Sequence, residues 1–286
     1  MLDGLKQSRE LAKIAEEAAA SVGEPLLSAF RSAITVNYKV DLHDHVTIHD
    51  KQTEESLRTF IFNRVPDSTM LGEEGGSVGN GSVHWFVDPI DGTSNFAAGI
   101  AFWCVSIAAV IDGNIVAGVV FDPVANLMFS ADLEASYLNG VQIRSSSVEH
   151  ESHATLITGY PVARDFRLDG KEVALRHFGE LTETFSTLRR PGSAALSICH
   201  VAAGWADAAV GFGVNAWDVT AAILILRNAG GRYRPLTLGK ALPTDADFNC
   251  PGYVATGANA HYPTLERVAD AVSGARDAKK IIGKIA

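Results

Sequence analysis

The sequence is poor in cysteine: Cys104, Cys199 and Cys250 stand far apart in a chain of 286 residues. An odd number with no close pair makes neither a disulfide framework nor a zinc knuckle, which points to a reducing compartment. Long apolar runs are lacking too. The most hydrophobic stretch, Ile100 to Ile111, is too short to span a bilayer and contains Ser106. The N-terminal MLDGLKQSRELAKIAEEAAA carries acids where a secretion signal needs a clean apolar segment. The expected location is therefore the cytoplasm. Cations are in deficit, with 24 Lys and Arg against 33 Asp and Glu and a formal charge of -9. That balance argues against binding a nucleic-acid backbone, which takes a cationic surface. The surplus carboxylates either solubilise the chain or ligate hard cations.

What is present is the mixture of a globular enzyme, 47% apolar and 20% charged, which excludes intrinsic disorder. The 26 glycines show no period, so the chain is not collagen-like. Helical spacing runs from Leu5 to about Ile34, with Gly23-Glu24-Pro25 predicting an interruption. Asp50 to Asn63 reads as a second amphipathic helix, and Gly72 to Gly81 as a glycine-rich loop. Strands are predicted at Val83–Val87, Val105–Ile111 and Ile115–Phe121, the last two joined at Asp112-Gly113-Asn114. Short strands at 128–130 and 136–138 follow, with Asn139-Gly140 as a tight turn. The polar stretch from Ser145 to His153 suggests a seam between lobes of roughly 1–148 and 149–286 in one catalytic unit. Beyond it helices and strands alternate: strands near 155–159, 206–210 and 231–235, helices near 171–184, 194–203 and 219–229. The class is α+β, in layered sheets and helices.

One segment concentrates chemistry: Val87-Asp88-Pro89-Ile90-Asp91-Gly92-Thr93-Ser94-Asn95-Phe96. An apolar strand ends, and two carboxylates follow across a proline-containing turn. Such close acids repel each other unless a cation sits between them. Gly92 lets backbone approach a ligand, and Thr93-Ser94 opens a helix whose free N–H groups suit an anion. Metal-binding acids beside a phosphate cradle describe a metal-assisted phosphoryl-transfer site. The bland alternative is an Asp-rich turn that caps a helix.

Asp88-Pro89-Ile90-Asp91-Gly92-Thr93 followed by Asn95-Phe96 resembles the signature of the inositol monophosphatase family. This family is part of the lithium-sensitive, magnesium-dependent phosphatase superfamily. Trp217-Asp218-Val219-Thr220-Ala221-Ala222, ending at Ala229-Gly230-Gly231, resembles its second signature. Gly72-Glu73-Glu74 and Val46-Thr47-Ile48-His49-Asp50 fall upstream in the family order. The resemblance implies an αβαβα sandwich of the sugar-phosphatase type and a homodimer. It implies two or three Mg2+ ions: the first on Glu73, Asp88 and the carbonyl of Ile90, the second on Asp88, Asp91 and Asp218. It further implies that Glu73 shares a looser third ion through water. Thr93 with Asp50 is similar to the pair that orients the attacking water and takes its proton, with Glu73 beside them. The resemblance further implies that the Gly92 and Thr93 N–H groups grip the phosphate and that Asp91 and Asp218 border the substrate. Gly192-Ser193-Ala194 resembles the segment that contacts the substrate's hydroxyl-bearing part, and Lys39 matches a lysine on a loop beside the site. The implied reaction is in-line hydrolysis of a small phosphomonoester, an inositol monophosphate-like polyol or sugar phosphate, without a phosphoenzyme.

Two departures weaken polyol recognition: Gly211 stands where inositol-type members place a glutamate, and Asn228 replaces an acid before Ala-Gly-Gly. Asn215 or a loop is the expected substitute. Alternatives with the same chemistry are fructose 1,6-bisphosphate, histidinol phosphate and a 3'-phosphoadenosine nucleotide, although Ser94-Asn95 argues against the nucleotide. A catalytically weak regulatory or binding homologue is the alternative of another class. Gly211-Phe212-Gly213-Val214-Asn215-Ala216 mimics a dinucleotide fingerprint, but no acid follows about 20 residues on. It reads as a turn leading to Asp218. Asp41, His43, Asp44, His45 and His49 mimic a transition-metal cluster but read as an exposed loop. Cys104 and Cys199 read as inert core thiols.

Overall fold

The computed structural model describes residues 2–32, 37–38, 45–242, 244 and 246–283. In chain order, helix α1 spans Leu2–Ala29, the two-residue strands β1 and β2 are Asn37–Tyr38 and His45–Val46, and helix α2 spans Ile48–Arg64. Strands β3 (Ser68–Gly72), β4 (Gly76–Gly79) and β5 (Val83–Asp91) lead into the short helix α3 (Thr93–Ala98). Strands β6 (Cys104–Ile111), β7 (Asn114–Asp122), β8 (Leu127–Ala131), β9 (Ser136–Leu138) and β10 (Val141–Gln142) complete the first sheet. The second half holds β11 (Thr155–Thr158), α4 (Ala163–Asp169), α5 (Lys171–Thr184), β12 (Thr187–Arg189) and α6 (Ala194–Ala202). It ends with β13 (Ala208–Phe212), α7 (Ala216–Asn228), β14 (Arg232–Leu236), β15 (Gly252–Thr256) and α8 (Pro263–Gly283).

The first sheet has eight strands in the order β10-β9-β8-β7-β6-β5-β3-β4, antiparallel except for the β3/β5 pair. The second has five, in the order β12-β11-β13-β15-β14. Period-2 alternation sorts each strand's side chains to two buried faces. Along β6, Val105, Ile107 and Ala109 pack with Leu11, Ile14 and Leu26 of α1 and Leu57 and Ile61 of α2. Ala108 and Val110, from the same strand, pack instead with Leu196 and Ile198 of α6 and Ile223 and Ile225 of α7. The second sheet repeats the division. Ala209 and Ala255 face α6 and α7, while Val210 and Val254 face Leu181 of α5 and Leu265 and Val268 of α8. The result is the expected α+β arrangement in five layers. Helix α7 lies between two sheets and is buried from Val219 to Leu226, as a helix apolar on all sides must be. Gly118 of β7 allows that helix to approach, because a Cβ there would lie 2.6 Å from the Ala221 carbonyl oxygen.

Several expectations need correction. The helix expected to break at Gly23-Glu24-Pro25 is continuous, with Pro25 inside α1. Gly23 marks a close contact, since a Cβ there would meet the Phe121 ring at 2.8 Å, and buried Val22, Leu26 and Ala29 carry the helix past the proline. The expected loop from Gly72 to Gly81 contains β4, paired antiparallel with β3. Helices α4 and α8 and strands β3, β12 and β15 were unanticipated, although Leu265, Val268, Ala269 and Val272 are buried at helical spacing.

Candidate active site

The site is built where β5 ends. Residues three apart on a regular strand point to opposite faces. Here Asp88 pairs with Ser106 and Asp91 with Cys104, so three steps on β5 oppose two on β6. The extra residue is a bulge, and it turns both carboxylates to one side. Pro89 lies inside that bulge, where its missing N–H leaves no gap in the ladder. The Ile90 N–H donates to Asp88 Oδ1 at 2.9 Å, which fixes the first acid. Gly92 follows at φ 99°, a left-handed turn into α3, and a Cβ there would lie 3.0 Å from the Phe102 carbonyl oxygen.

Other elements bring further acids to the same place. Gly72 pairs with Val87, and the Glu73 N–H donates to the Val87 carbonyl at 3.3 Å, so Glu73 emerges beside Asp88. Asp218 lies in the first turn of α7, where its Oδ2 accepts from the Asn215 N–H at 2.8 Å. Ser106 anchors that helix end by donating to the Trp217 carbonyl at 3.2 Å. Asp218 thus caps the helix, and the same bond positions the acid.

Asp88, Asp91 and Asp218 are all held above the ordinary carboxylate range. Burial is the main cause for each. Asp88 is raised further by Glu73, Asp91 and Asp218, and Asp218 by Asp91 and Glu73. For Asp91, bonds from Ser193 and the Ala195 and Ala194 N–H groups oppose the burial cost. Among the described residues no group of three or more His, Cys, Asp or Glu side chains is placed to hold a metal ion as the side chains stand. The acids meet as mutually repelling charges with oxygen-only chemistry, the donor set that Mg2+ prefers and the condition that a cation relieves.

Beside them lies a hydrogen-bonded pair, Thr93 and Asp50. Thr93 Oγ1 is 3.0 Å from both Asp50 Oδ1 and the Ile90 carbonyl oxygen. The other oxygen of Asp50 accepts from the Thr47 N–H at 2.8 Å and the Thr47 hydroxyl at 2.7 Å, as the capping box of α2. One Asp50 oxygen therefore holds the helix end and the other faces Thr93.

Gly192-Ser193-Ala194, expected to meet substrate, is tied to Asp91. Ser193 Oγ donates to Asp91 Oδ2 at 2.6 Å, and the Ala195 N–H donates to the same oxygen at 2.7 Å. The segment is steadied from α3 by Asn95, whose side-chain amide donates to the carbonyls of Pro191 and Phe102. Asn228 is ten residues beyond Asp218 on α7, about 15 Å along the axis, and bonds the Asp132 carbonyl. That substitution lies away from the acids. Gly211, by contrast, lines a cavity with Gly192, Ser193 and Ala194. The dinucleotide-like run at 211–216 spans the end of β13, the turn at 213–215 and the first residue of α7, and so leads to Asp218 as expected. Lys39, Asp41, His43 and Asp44 lie outside the described residues, as does the side chain of His45. The His49 ring packs edge-on against Phe96, with centroids 5.9 Å apart. Cys104 and Cys199 are buried, and burial pushes both thiols up, away from nucleophilic use.

Two residues went unread in the sequence. Glu54 lies one turn after Asp50 on α2, is buried, and accepts from the Glu74 and Gly75 N–H groups, each at 2.7 Å. It holds the loop that carries Glu73; a Cβ on Gly72 would overlap its carboxylate. Its one signal is a second acid at i+4 from Asp50. Tyr253 of β15 is buried opposite Gly211. Burial, then Asp91 and Asp218, push its phenol far up, which places that ring near the acids.

Glu54→Gln retains the volume but turns an amide toward one of the two N–H donors. The expected result is an apparent Mg2+ affinity weakened about 10- to 100-fold, with a smaller fall in kcat. The Mg2+ dependence of turnover measures it; an unchanged dependence would contradict the role.

Comparison with known proteins gives a consistent picture. The sequence profile of the Inositol monophosphatase family matches residues 7–272. The Nus factor SuhB of Pasteurella multocida is 38% identical over 192 residues, covering 66% of this chain and 71% of that protein. The fructose-1,6-bisphosphatase/inositol-1-monophosphatase of Aquifex aeolicus is 34% identical over 237 residues, covering 81% of this chain and 87% of that protein. The structure of inositol monophosphatase from Anabaena superposes with a TM-score of 0.72 at 28% identity, covering 93% of this chain and 95% of its own.

Proposed function

Because the chain belongs to the inositol monophosphatase family of phosphomonoester hydrolases, we propose that it hydrolyses a small phosphomonoester with the help of Mg2+. The observation that carries this reading is the trio of buried Asp88 and Asp91 with half-buried Asp218, raised in pKa with Glu73 beside them and Thr93–Asp50 adjoining. Glu73, Asp88, the Ile90 carbonyl, Asp91 and Asp218 would hold the metal. Bound there, Mg2+ supplies Lewis-acid polarisation of the phosphate and neutralises the acids. Thr93 accepts a hydrogen bond from the attacking water while donating to Asp50, so the water's proton has a carboxylate to reach. The N–H groups of Gly92 and Thr93 orient the phosphate oxygens. Water adds to phosphorus, the ester P–O bond breaks in line, and the alkoxide leaves to take a proton, giving phosphate and an alcohol. Ser193 and the Ala195 N–H keep Asp91 aimed throughout.

Asp50, Glu73, Asp88 and Asp91 come from one side of the 148/149 seam and Asp218 from the other, so we treat both lobes as one catalytic unit. The Nus factor names of some relatives raise a second reading, a catalytically weak regulatory homologue. The retained set of repelling acids favours turnover, since burying them without a cation costs stability. Phosphate release from a panel of small phosphomonoesters, with and without Mg2+, tests the proposal. No release from any ester, or release indifferent to Mg2+, refutes it. A cytoplasmic homodimer remains part of the same reading. Among the described residues no helix is long and apolar enough to cross a membrane.

Stability offers an independent readout. A carboxyl whose folded pKa lies above its unfolded value near 3.8 makes the folded state bind more protons, so its contribution to stability falls as pH rises through that range. Mg2+ cancels the repulsion behind part of that shift. The Tm gain on adding Mg2+ is therefore expected to grow from pH 4 upward, as a pH series of thermal melts with and without the ion measures. A gain that shrinks as pH rises would contradict it.

A further inference from the structure

The cavity beside Asp91 has a volume of about 160 Å³, close to the roughly 150 Å³ that accommodates a single benzene-sized ring. Ser193 connects it to the acids, because that residue lines the cavity and also bonds Asp91. It therefore adjoins Asp91, on a side to which the alcohol half of a bound phosphate ester could project. Three aromatic side chains, Tyr160, Phe212 and Tyr253, line it together with aliphatic Ile157, Val162 and Val210.

The pair Gly211 and Tyr253 shapes the inner wall. The two are directly opposite in the antiparallel β13/β15 ladder, so their side-chain positions share one face. A Cβ on Gly211 would lie 2.6 Å from Tyr253 Cε1 and 3.1 Å from Cζ. The glycine is the space in which the tyrosine ring lies, and no side chain at 211 coexists with the ring in that position. The ring also stacks on Tyr233 at 5.6 Å, with 16° between planes, which holds it flat.

Five polar side chains of the lining, Ser193, Ser197, Thr158, Asp165 and Arg164, are already engaged. Ser193 serves Asp91, Ser197 donates to the Ser193 carbonyl, and the Thr158 hydroxyl accepts from the Tyr160 N–H. Asp165 is bonded by Arg276 and the Val162 N–H, and the Arg164 guanidinium donates to the carbonyls of Phe212 and Gly213. A polyhydroxylated ring entering here gives up water without finding a matching set of partners, whereas an apolar ring loses little and gains contact.

Resting on the phosphatase reading above, we propose that the substrate's alcohol half carries a single apolar or aromatic ring, recognised by the Gly211–Tyr253 wall, in place of a polyol. In steady-state phosphate release with Mg2+, kcat/KM for 2-phenylethyl phosphate is expected to exceed that for inositol 1-phosphate by about tenfold or more. Gly211→Glu, which drives the ring from its place, and Tyr253→Ala, which removes it, each lower that ratio about tenfold. The wild-type ratio decides without either variant, so a failure to fold does not protect the idea. Equal or better use of inositol 1-phosphate overturns the ring proposal and leaves the phosphatase reading standing. A ratio unmoved in folded variants removes the role of the wall and overturns the proposal too. If neither ester nor glycerol 2-phosphate releases phosphate, both readings fall together.

Discussion

Asp88→Asn should lower kcat/KM by about a thousandfold or more, since Lewis-acid stabilisation is worth several kcal/mol and each 1.4 kcal/mol is tenfold. The same variant should melt higher than the wild type when both are metal-free. Asn keeps an oxygen for the Ile90 N–H but removes the charge that Glu73, Asp91 and Asp218 repel. Opposite signs in activity and stability separate a functional acid from a structural one, because simple damage to the fold lowers both. Thermal melts in EDTA beside initial rates in Mg2+ check the pair. A metal-free variant less stable than the wild type would contradict the electrostatic account of the site.

The second large effect concerns proton transfer. Asp50→Asn and Thr93→Ala are each expected to lower kcat by about 10²- to 10⁴-fold with KM changed only modestly. In Asp50→Asn, an amide oxygen turned to the Thr47 N–H leaves the NH2 facing Thr93. The threonine hydroxyl then meets a donor where it needs an acceptor. The two residues act as one unit, so the double variant should be no slower than the slower single one. Rates that multiply in the double variant would show separate roles.

The sequence made the chemistry legible more readily than its geometry. The spacing of Asp88 and Asp91 is plain in the chain, yet a strand with regular alternation would point them apart. The bulge that aligns them is set by pairing with Ser106 and Cys104, which adjacent residues do not reveal. Asp218 is far from both in sequence, and only the resemblance of its segment to a family signature linked it to them. Gly192-Ser193-Ala194 was located and assigned to substrate, but its second tie, from Ser193 to Asp91, spans 102 residues and left no local mark. Glu54 passed as one more charge on an amphipathic helix because its partners, two loop N–H groups, are 20 and 21 residues away. Tyr253 gave no signal, since its meaning arises from the β13/β15 register opposite Gly211. Among the elements, period-2 strands and the Asp112-Gly113 turn were read correctly because local pattern sets them; both turn residues adopt positive φ. The break expected at Pro25 failed for the complementary reason. Tertiary burial of the residues around it outweighs the local penalty of one proline.

The most direct test of the central claim is phosphate release by the full-length protein stripped with EDTA, before and after Mg2+ is restored, on a panel of small phosphomonoesters. The account predicts no release above the no-enzyme rate from stripped protein, recovery on at least one ester when Mg2+ returns, and no such recovery for Asp88→Asn. Full activity in the stripped protein, or a wild type that stays silent on every ester with Mg2+ present, would contradict it.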